Sequence, residues 1–193
     1  MSVNSSVPGR TTGNTAAGDI IAANDAAPNV LAFARPPVRQ ATIVRSDIVH
    51  TFDVFVRTIG TWWPVRPFSA GAERVRDVTF EQREGGRIYE TWHDGTIREW
   101  GTVESWTPPD GFVMSWQMTP ASTEVEFRFT ALGPALTRVA VEHRGWERLT
   151  ESQLVEACAL PGGYSGGAFA KGWAHILGCL ATAVDGEATH EFR

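Results

Sequence analysis

The sequence predicts an α+β fold in which a curved antiparallel sheet is covered on one face by a long C-terminal helix. Three observations lead to this prediction. Short runs of β-branched and aromatic residues between residues 75 and 146 are separated by turn signals. Apolar and polar residues alternate in the last two of these runs. After residue 150 the apolar period becomes helical, and only the final segment is long enough to cover a sheet.

The first 36 residues are predicted to form a flexible tail. They are rich in Ser, Thr, Asn, Ala and Gly and show no sustained hydrophobic period. Such a segment buries too little apolar surface to offset the entropy lost when a chain becomes ordered. The folded domain is therefore expected over residues 37–185, followed by a short C-terminal tail over residues 186–193.

A strand and a helix are predicted at the start of the domain. Val38 to Val44 has the composition of a strand, and Ser46-Asp47 then supplies the N-cap of a helix. Gly60 is expected to end this helix, and residues 67–71 are expected to form a surface loop. The apolar residues at helical spacing, which predict a stripe facing the core, are Ile48, Phe52, Phe55, Val56 and Ile59.

Six antiparallel strands are predicted to follow as a meander. Asp94-Gly95 is the strongest hairpin signal, because Gly accepts the positive φ of a tight primed turn. Pro108-Pro109-Asp110-Gly111 and Gly133-Pro134 mark two later turns. The alternation predicts a sheet with one buried face and one face in water. The strands are expected at residues 75–82, 87–93, 96–106, 112–118, 123–131 and 137–146.

Two helical segments are predicted after the last strand. The first is short, with Leu154 and Val155 as its apolar residues, and glycine pairs at residues 162–163 and 166–167 interrupt it. The second carries a continuous apolar stripe, which makes it the element that covers the sheet. This stripe consists of Phe169, Trp173, Ile176, Leu177, Leu180 and Val184.

The composition excludes several classes of function. The formal net charge is −5 and the cations are scattered, whereas a nucleic-acid surface needs clustered cations. We expect no membrane span, since there is no run of about eighteen apolar residues. The absence of a signal peptide or a disulfide framework predicts a cytoplasmic protein. The cysteines Cys158 and Cys179 and the histidines lack ligand spacing, so no metal and no cofactor are predicted.

An ordered set of short motifs extends from the first helix to the last. It consists of Trp62-Trp63-Pro64, Phe80-Glu81, Gly85-Gly86-Arg87, Asp94-Gly95, Trp100-Gly101-Thr102-Val103, Trp106-Thr107-Pro108-Pro109, Trp116, Thr123 to Phe129, His143-Arg144-Gly145-Trp146 and Gly172-Trp173. The set resembles the heat-shock protein 90 ATPase activator homologue-like family of the START-like (SRPBCC, helix-grip) superfamily. The resemblance implies a curved seven-stranded sheet wrapped around the C-terminal helix, with short helices between the first two strands. It also implies a deep cavity that superfamily members use for lipids, polyketides and other apolar molecules, or for catalysis on them.

Eight tryptophans and the implied cavity favour a protein that binds a small hydrophobic or amphipathic molecule. No catalytic residue is assigned. The predicted ligand-binding residues are Trp100, Phe112, Met114, Trp116, Phe127, Phe129, Val141, His143, Trp173 and Leu177. For each of these side chains, packing within the core is the alternative to lining the cavity.

Three polar residues, His143, Glu99 and Tyr89, leave an enzymatic alternative open, and Arg87 is a candidate clamp for a ligand carboxylate. His143, in phase with apolar neighbours, is a candidate proton donor or ligand anchor, or else a strand-end histidine bonded to local backbone. Glu99, Tyr89 and Arg87 reach the cavity only in one strand register, and in the other they are surface groups. The main rival hypothesis is therefore a cofactor-independent cavity enzyme of the cyclase or hydrolase type. A third hypothesis is an interaction protein that contacts a chaperone, and the sequence leaves a homodimer open.

Overall fold

The computed structural model of the chain describes residues 35–158 and 160–188. Most of the two predicted tails lies outside these residues, so the predicted domain boundaries stay a prediction. Arg35 and Pro36, which the prediction assigns to the N-terminal tail, form hydrogen bonds with the folded domain. These two residues are therefore attached to the folded domain by hydrogen bonds.

Seven strands form one antiparallel sheet in the order β1-β7-β6-β5-β4-β3-β2. They are β1 Val38–Val44, β2 Val75–Phe80, β3 Arg87–Trp92, β4 Ile97–Thr107, β5 Gly111–Trp116, β6 Thr123–Gly133 and β7 Leu136–Arg144. The bounds of β1 are those predicted, and each meander strand begins and ends within two residues of its predicted bounds. Strands β2 to β7 pair in chain order, as a meander requires, and β1 pairs with β7.

The helices lie between β1 and β2 and after β7. The first group is α1 Ile48–Arg57, α2 Ile59–Trp62, the short irregular α3 Val65–Phe68 and a 3-10 turn at Ala72–Arg74. The second group is a 3-10 turn at Trp146–Arg148, α4 Glu151–Glu156 and the long α5 Ala168–Ala188. A curved seven-stranded antiparallel sheet, a long C-terminal helix and short helices after β1 confirm the predicted helix-grip fold.

The core lies between the inner face of the sheet and helices α1 and α5. The alternation predicted for β6 and β7 is confirmed, because Val125, Phe127, Val139 and Val141 are buried. Charged residues on the other face, such as Glu126 and Arg144, form ion pairs with each other. Burying one large apolar side chain stabilises a fold by about 1.5–3 kcal/mol. The predicted stripe on α5 supplies five such side chains, those of Trp173, Ile176, Leu177, Leu180 and Val184.

Helix α1 begins as predicted but ends earlier than predicted. The Asp47 carboxylate accepts a hydrogen bond from the backbone N–H of His50 (2.9 Å), which is the N-cap geometry. The helix ends at Arg57, and Gly60 lies inside α2 instead of ending α1. A Cβ atom at Gly60 would lie 2.5 Å from Asp77 Oδ1. That atom is the end of a side chain, but the backbone oxygen of Val78 in β2 would also lie only 3.1 Å away, so glycine lets β2 pass close to α2.

The Asp94-Gly95 hairpin joins β3 to β4 as predicted, but its turn is of another type. The backbone N–H of Trp92 donates to the Thr96 oxygen (2.8 Å), which leaves three residues in the loop. Gly95 has φ +87°, whereas Asp94 has no positive φ. Both primed two-residue turns need positive φ at their first central residue, so that prediction is wrong. The Asp94 carboxylate stabilises the loop by accepting from the Thr96 N–H (2.9 Å).

Glu90 is a buried carboxylate that the sequence prediction did not single out. It lies on the inner face of β3 with no exposed surface. Its Oε1 accepts from Trp92 Nε1 (2.7 Å), and its Oε2 accepts from Trp100 Nε1 (3.0 Å). Since an indole N–H can only donate, each of these rings needs an acceptor when it is buried. Glu90 thus provides one acceptor for each tryptophan, and its bond with Trp100 joins β3 to β4.

Replacing Glu90 with Gln is expected to lower the free energy of unfolding by about 1–3 kcal/mol. The amide turns one acceptor into a donor, so one buried indole N–H loses its partner. Urea denaturation measures the loss. Glu104→Gln, at an exposed position of β4, is the matched control and should stay within about 0.5 kcal/mol of wild type. Equal losses in the two variants would contradict the role assigned to Glu90.

Candidate functional site

A cavity of about 300 Å³ lies between the inner face of the sheet and the first turns of α5. Three tryptophans form its aromatic walls: Trp63 directly after α2, Trp116 at the end of β5 and Trp173 on α5. Exposed lining residues border the opening. They come from the segment at residues 67–70, from Arg98 at the start of β4 and from Glu156 at the end of α4.

The aromatic walls belong to a cluster of four tryptophans in mutual contact. The ring centroids of Trp63 and Trp100 are 4.9 Å apart, and those of Trp116 and Trp173 are 5.4 Å apart. Trp63 also contacts Trp116 at 6.4 Å and Trp173 at 6.2 Å. The rings are tilted or edge-on, which are the arrangements that aromatic pairs prefer. Trp63 Nε1 donates to the Phe68 oxygen (2.9 Å), so the cluster also holds one side of the opening.

His143 lies at the floor of the cavity and is 1% exposed. Trp173 Nε1 donates to its Nδ1 (3.2 Å), and its Nε2 lies 2.8 Å from Thr123 Oγ1. Because the indole N–H only donates, Nδ1 carries no proton, and Nε2–H donates to Thr123. Thr123 Oγ1 lies 3.3 Å from Thr119 Oγ1, which donates to the Ala121 oxygen (2.7 Å). A continuous set of hydrogen bonds therefore occupies both ring nitrogens.

The surroundings keep the His143 ring neutral. Burial away from water lowers the pKa of His143 from its ordinary value near 6.5 to about 3. A second ring proton would also point at the Trp173 N–H and break that hydrogen bond. The backbone oxygen of His143 is occupied as well, because it accepts from Trp146 Nε1 (2.6 Å). This ring shapes and stiffens the floor and has no free nitrogen for proton transfer.

The strand register places Glu99 and Tyr89 on the outer face of the sheet. They lie opposite each other in the β3–β4 pair, while Glu90 lies opposite Arg98 on the inner face. Thr102 Oγ1 donates to Glu99 (3.1 Å). The guanidinium of Arg87 lies over the Tyr89 ring, 4.9 Å from its centroid. The acid–base groups named in the enzymatic hypothesis, other than His143, are therefore outside the cavity.

The structure divides the ten predicted ligand-binding residues into two sets. Trp116, His143 and Trp173 line the cavity. The other seven lie in the buried core and are not among the described residues that line it: Trp100, Phe112, Met114, Phe127, Phe129, Val141 and Leu177. A ligand contact stays a prediction for all ten.

Several lining residues were missed by the sequence prediction. Trp63 belongs to the Trp62-Trp63-Pro64 motif. It was missed because its ring contacts with Trp116 and Trp173 join residues that are far apart in the sequence. Arg98 carried a local signal, since it is two residues from buried Trp100 and therefore on the same face of β4. Gly172 allows close packing, because a Cβ there would lie 3.0 Å from Phe68 Cε1.

The described part of the chain contains neither a metal-binding cluster nor a membrane-spanning helix. No group of three or more His, Cys, Asp or Glu side chains among residues 35–158 and 160–188 is placed to hold a metal ion. Within the same residues, no helix combines the length and the apolar character needed to cross a membrane.

Comparisons with known proteins identify relatives of this domain. A family model described as "Activator of Hsp90 ATPase homolog 1-like protein" matches residues 57–185. The solution structure of CalC, a self-sacrificing resistance protein from Micromonospora echinospora, is 27% identical with a TM-score of 0.54, over 79% of this chain and 96% of that chain. An AHSA1-like protein from Aeromonas hydrophila is 15% identical with a TM-score of 0.51, over 78% of this chain and 94% of that chain.

A third similar structure is the anthrahydroquino-γ-pyrone synthase Txn09, which is 27% identical with a TM-score of 0.48, over 72% of this chain and 97% of that chain. No curated protein matches the chain. The two structures with TM-scores above 0.5 agree with the helix-grip fold described above.

The buried neutral state of His143 predicts a specific loss of stability in acid. Because the pKa of His143 is lowered to about 3 in the folded protein, only the unfolded chain takes up this proton as the pH falls below about 6.5. Between pH 7 and pH 5 this effect lowers the free energy of unfolding by about 2 kcal/mol. Urea denaturation at both pH values should show that His143→Gln lacks this part of the decrease. The same decrease in both proteins would contradict a neutral His143.

Proposed function

The chain belongs to the family of activator of Hsp90 ATPase homolog 1-like proteins, and on this premise we propose that it binds a small hydrophobic molecule in the cavity between the sheet and α5. One observation carries the proposal. The cavity is walled by Trp63, Trp116 and Trp173, and the polar groups at its floor already have hydrogen-bond partners. Such a surface favours an apolar ligand, because it offers apolar area to cover while His143 and Thr123 at its floor are already hydrogen-bonded.

The dimensions and the chemistry of the cavity support an aromatic ligand of modest size. A volume of about 300 Å³ is at the lower end of the range for small-molecule sites. Aromatic walls also accept a planar ring edge-on or in an offset stack. Since the four tryptophans already hold one another in place, little side-chain entropy is lost when a ligand enters.

Binding is favoured over catalysis by the state of the three acid–base groups that the enzymatic hypothesis names. A general acid or base must exchange a proton with the ligand within hydrogen-bond distance. His143 uses both ring nitrogens within the protein and holds its neutral form, while Glu99 and Tyr89 lie on the opposite face of the sheet. The arrangement supports a wall that holds a ligand without transforming it.

Trp116→Ala is expected to weaken the binding of the neutral probe 1-anilinonaphthalene by about tenfold or more, because the variant removes one aromatic wall. Probe fluorescence measures the dissociation constant, and circular dichroism shows that the variant is folded. Trp106→Ala is the matched control. Trp106 is also half-buried, but it packs against Phe52 and Phe80 away from the cavity, so its loss should change the affinity by less than about twofold.

Two results would contradict the proposal. If the wild-type protein does not bind the probe, the cavity does not admit a ligand of this kind. If the variants at Trp116 and Trp106 weaken binding equally, the probe does not occupy the cavity described here.

A further inference from the structure

We propose that the natural ligand carries one acidic group, such as a carboxylate or a phenolate, and that Arg98 binds this group at the opening of the cavity. The inference rests on the proposed function and deepens it by assigning the chemical class of the ligand. Its basis is the position of one cation, the lack of a partner for that cation among residues 35–158 and 160–188, and the occupied state of other polar groups at the cavity.

Arg98 is on the inner face of the sheet. It lies opposite Glu90 in the β3–β4 pair, and residues opposite each other in an antiparallel pair share a face. Glu90 is fully buried under the tryptophans, whereas Arg98 is exposed and borders the cavity. The Arg98 side chain therefore lies at the exposed opening of the cavity, on the same face of the sheet as the buried Glu90.

The guanidinium of Arg98 has no partner in the described part of the chain. It forms no ion pair and donates no side-chain hydrogen bond there. By contrast, Arg87, Arg128 and Arg144 on the outer face all pair with glutamates. The carboxylate of Glu90, which lies opposite Arg98 in the strand pair, already accepts from two indole N–H groups. Arg98 therefore keeps its donors available for a ligand.

The other polar groups of the cavity wall have less to offer an acidic group. Ser69 Oγ donates to the Val65 oxygen (2.9 Å) and accepts from the Ala72 N–H (3.0 Å). His143 is neutral and bonded on both ring nitrogens. Among the described lining residues, Arg98 is the one cation. A planar guanidinium with several N–H donors suits a carboxylate, which it can bind through two parallel hydrogen bonds.

Glu156 makes the charge at the two sides of the opening unequal. It borders the cavity from the end of α4 and is exposed, so it presents a negative charge where Arg98 presents a positive one. An acidic group on the ligand is attracted toward β4 and repelled from α4. The whole chain has a formal net charge of −5, so attraction of an anion must come from this local arrangement.

The test compares two probes that share an aromatic body and differ by one acidic group. These are 1-anilinonaphthalene-8-sulfonate and the neutral 1-anilinonaphthalene. Arg98→Gln is expected to weaken binding of the sulfonate probe by about three- to fivefold and to leave binding of the neutral probe within about twofold. Arg87→Gln removes the same charge from the outer face of the adjacent strand and should change neither affinity. Glu156→Gln should increase the affinity for the sulfonate probe by about two- to threefold, and this increase should be smaller at high salt.

The outcomes separate this inference from the proposed function. If both probes bind and Arg98→Gln leaves the sulfonate probe unchanged, Arg98 does not bind the acidic group, while the apolar cavity still binds ligands. The same conclusion follows if Arg98→Gln and Arg87→Gln weaken the sulfonate probe equally, since the effect is then one of net charge. If neither probe binds the wild-type protein, the proposed function fails and this inference fails with it.

Discussion

The hydrogen bond from Trp173 Nε1 to His143 Nδ1 joins helix α5 to the sheet at the floor of the cavity. An indole nitrogen cannot accept, so the bond requires an unprotonated Nδ1 and directs the remaining ring proton toward Thr123 on the neighbouring strand. Trp146 fastens the backbone oxygen of the same histidine. Trp173 also contacts Trp63 and Trp116, so this hydrogen bond fixes one ring of the aromatic cluster that walls the cavity.

Internal pairing of the buried polar groups determines the polarity of the cavity surface. Buried polar groups are costly unless they are paired, and this fold pairs them internally. His143 is held between α5 and β6, and Glu90 is held between two tryptophans. What reaches the cavity from the interior is therefore mostly apolar area, while Arg98 and Glu156 supply charge at the opening. Among the described lining residues the charged side chains lie at the opening and the floor is paired, an arrangement that agrees with the proposed selection of a ligand by its shape and its polar end.

The sequence was sufficient for the fold but only partly for the site. Strand alternation and the stripe on α5 determine which side chains point inward, so the sheet and its covering helix were predictable. The inward direction of a side chain does not tell whether it lines the cavity or packs in the core. Phe127 and Leu177 were therefore predicted to bind a ligand although they lie in the core, whereas Trp116 does line the cavity. Glu90 was missed because a carboxylate in a strand is typical of a solvated face. Its acceptor role depends on Trp100, which is brought to it only by the strand pairing.

The most direct test is a nuclear magnetic resonance measurement of the two ring nitrogens of His143, between pH 8 and pH 4.5, with and without saturating 1-anilinonaphthalene. We expect the shift of a proton-bearing Nε2 and a proton-free Nδ1 throughout, because the pKa of His143 is lowered to about 3 by burial. We expect the same nitrogen shifts with the probe bound, because His143 then lines the cavity without exchanging a proton with the ligand. Titration near pH 6.5, or transfer of the proton to Nδ1 when the probe binds, would contradict a neutral structural histidine and would favour the enzymatic hypothesis.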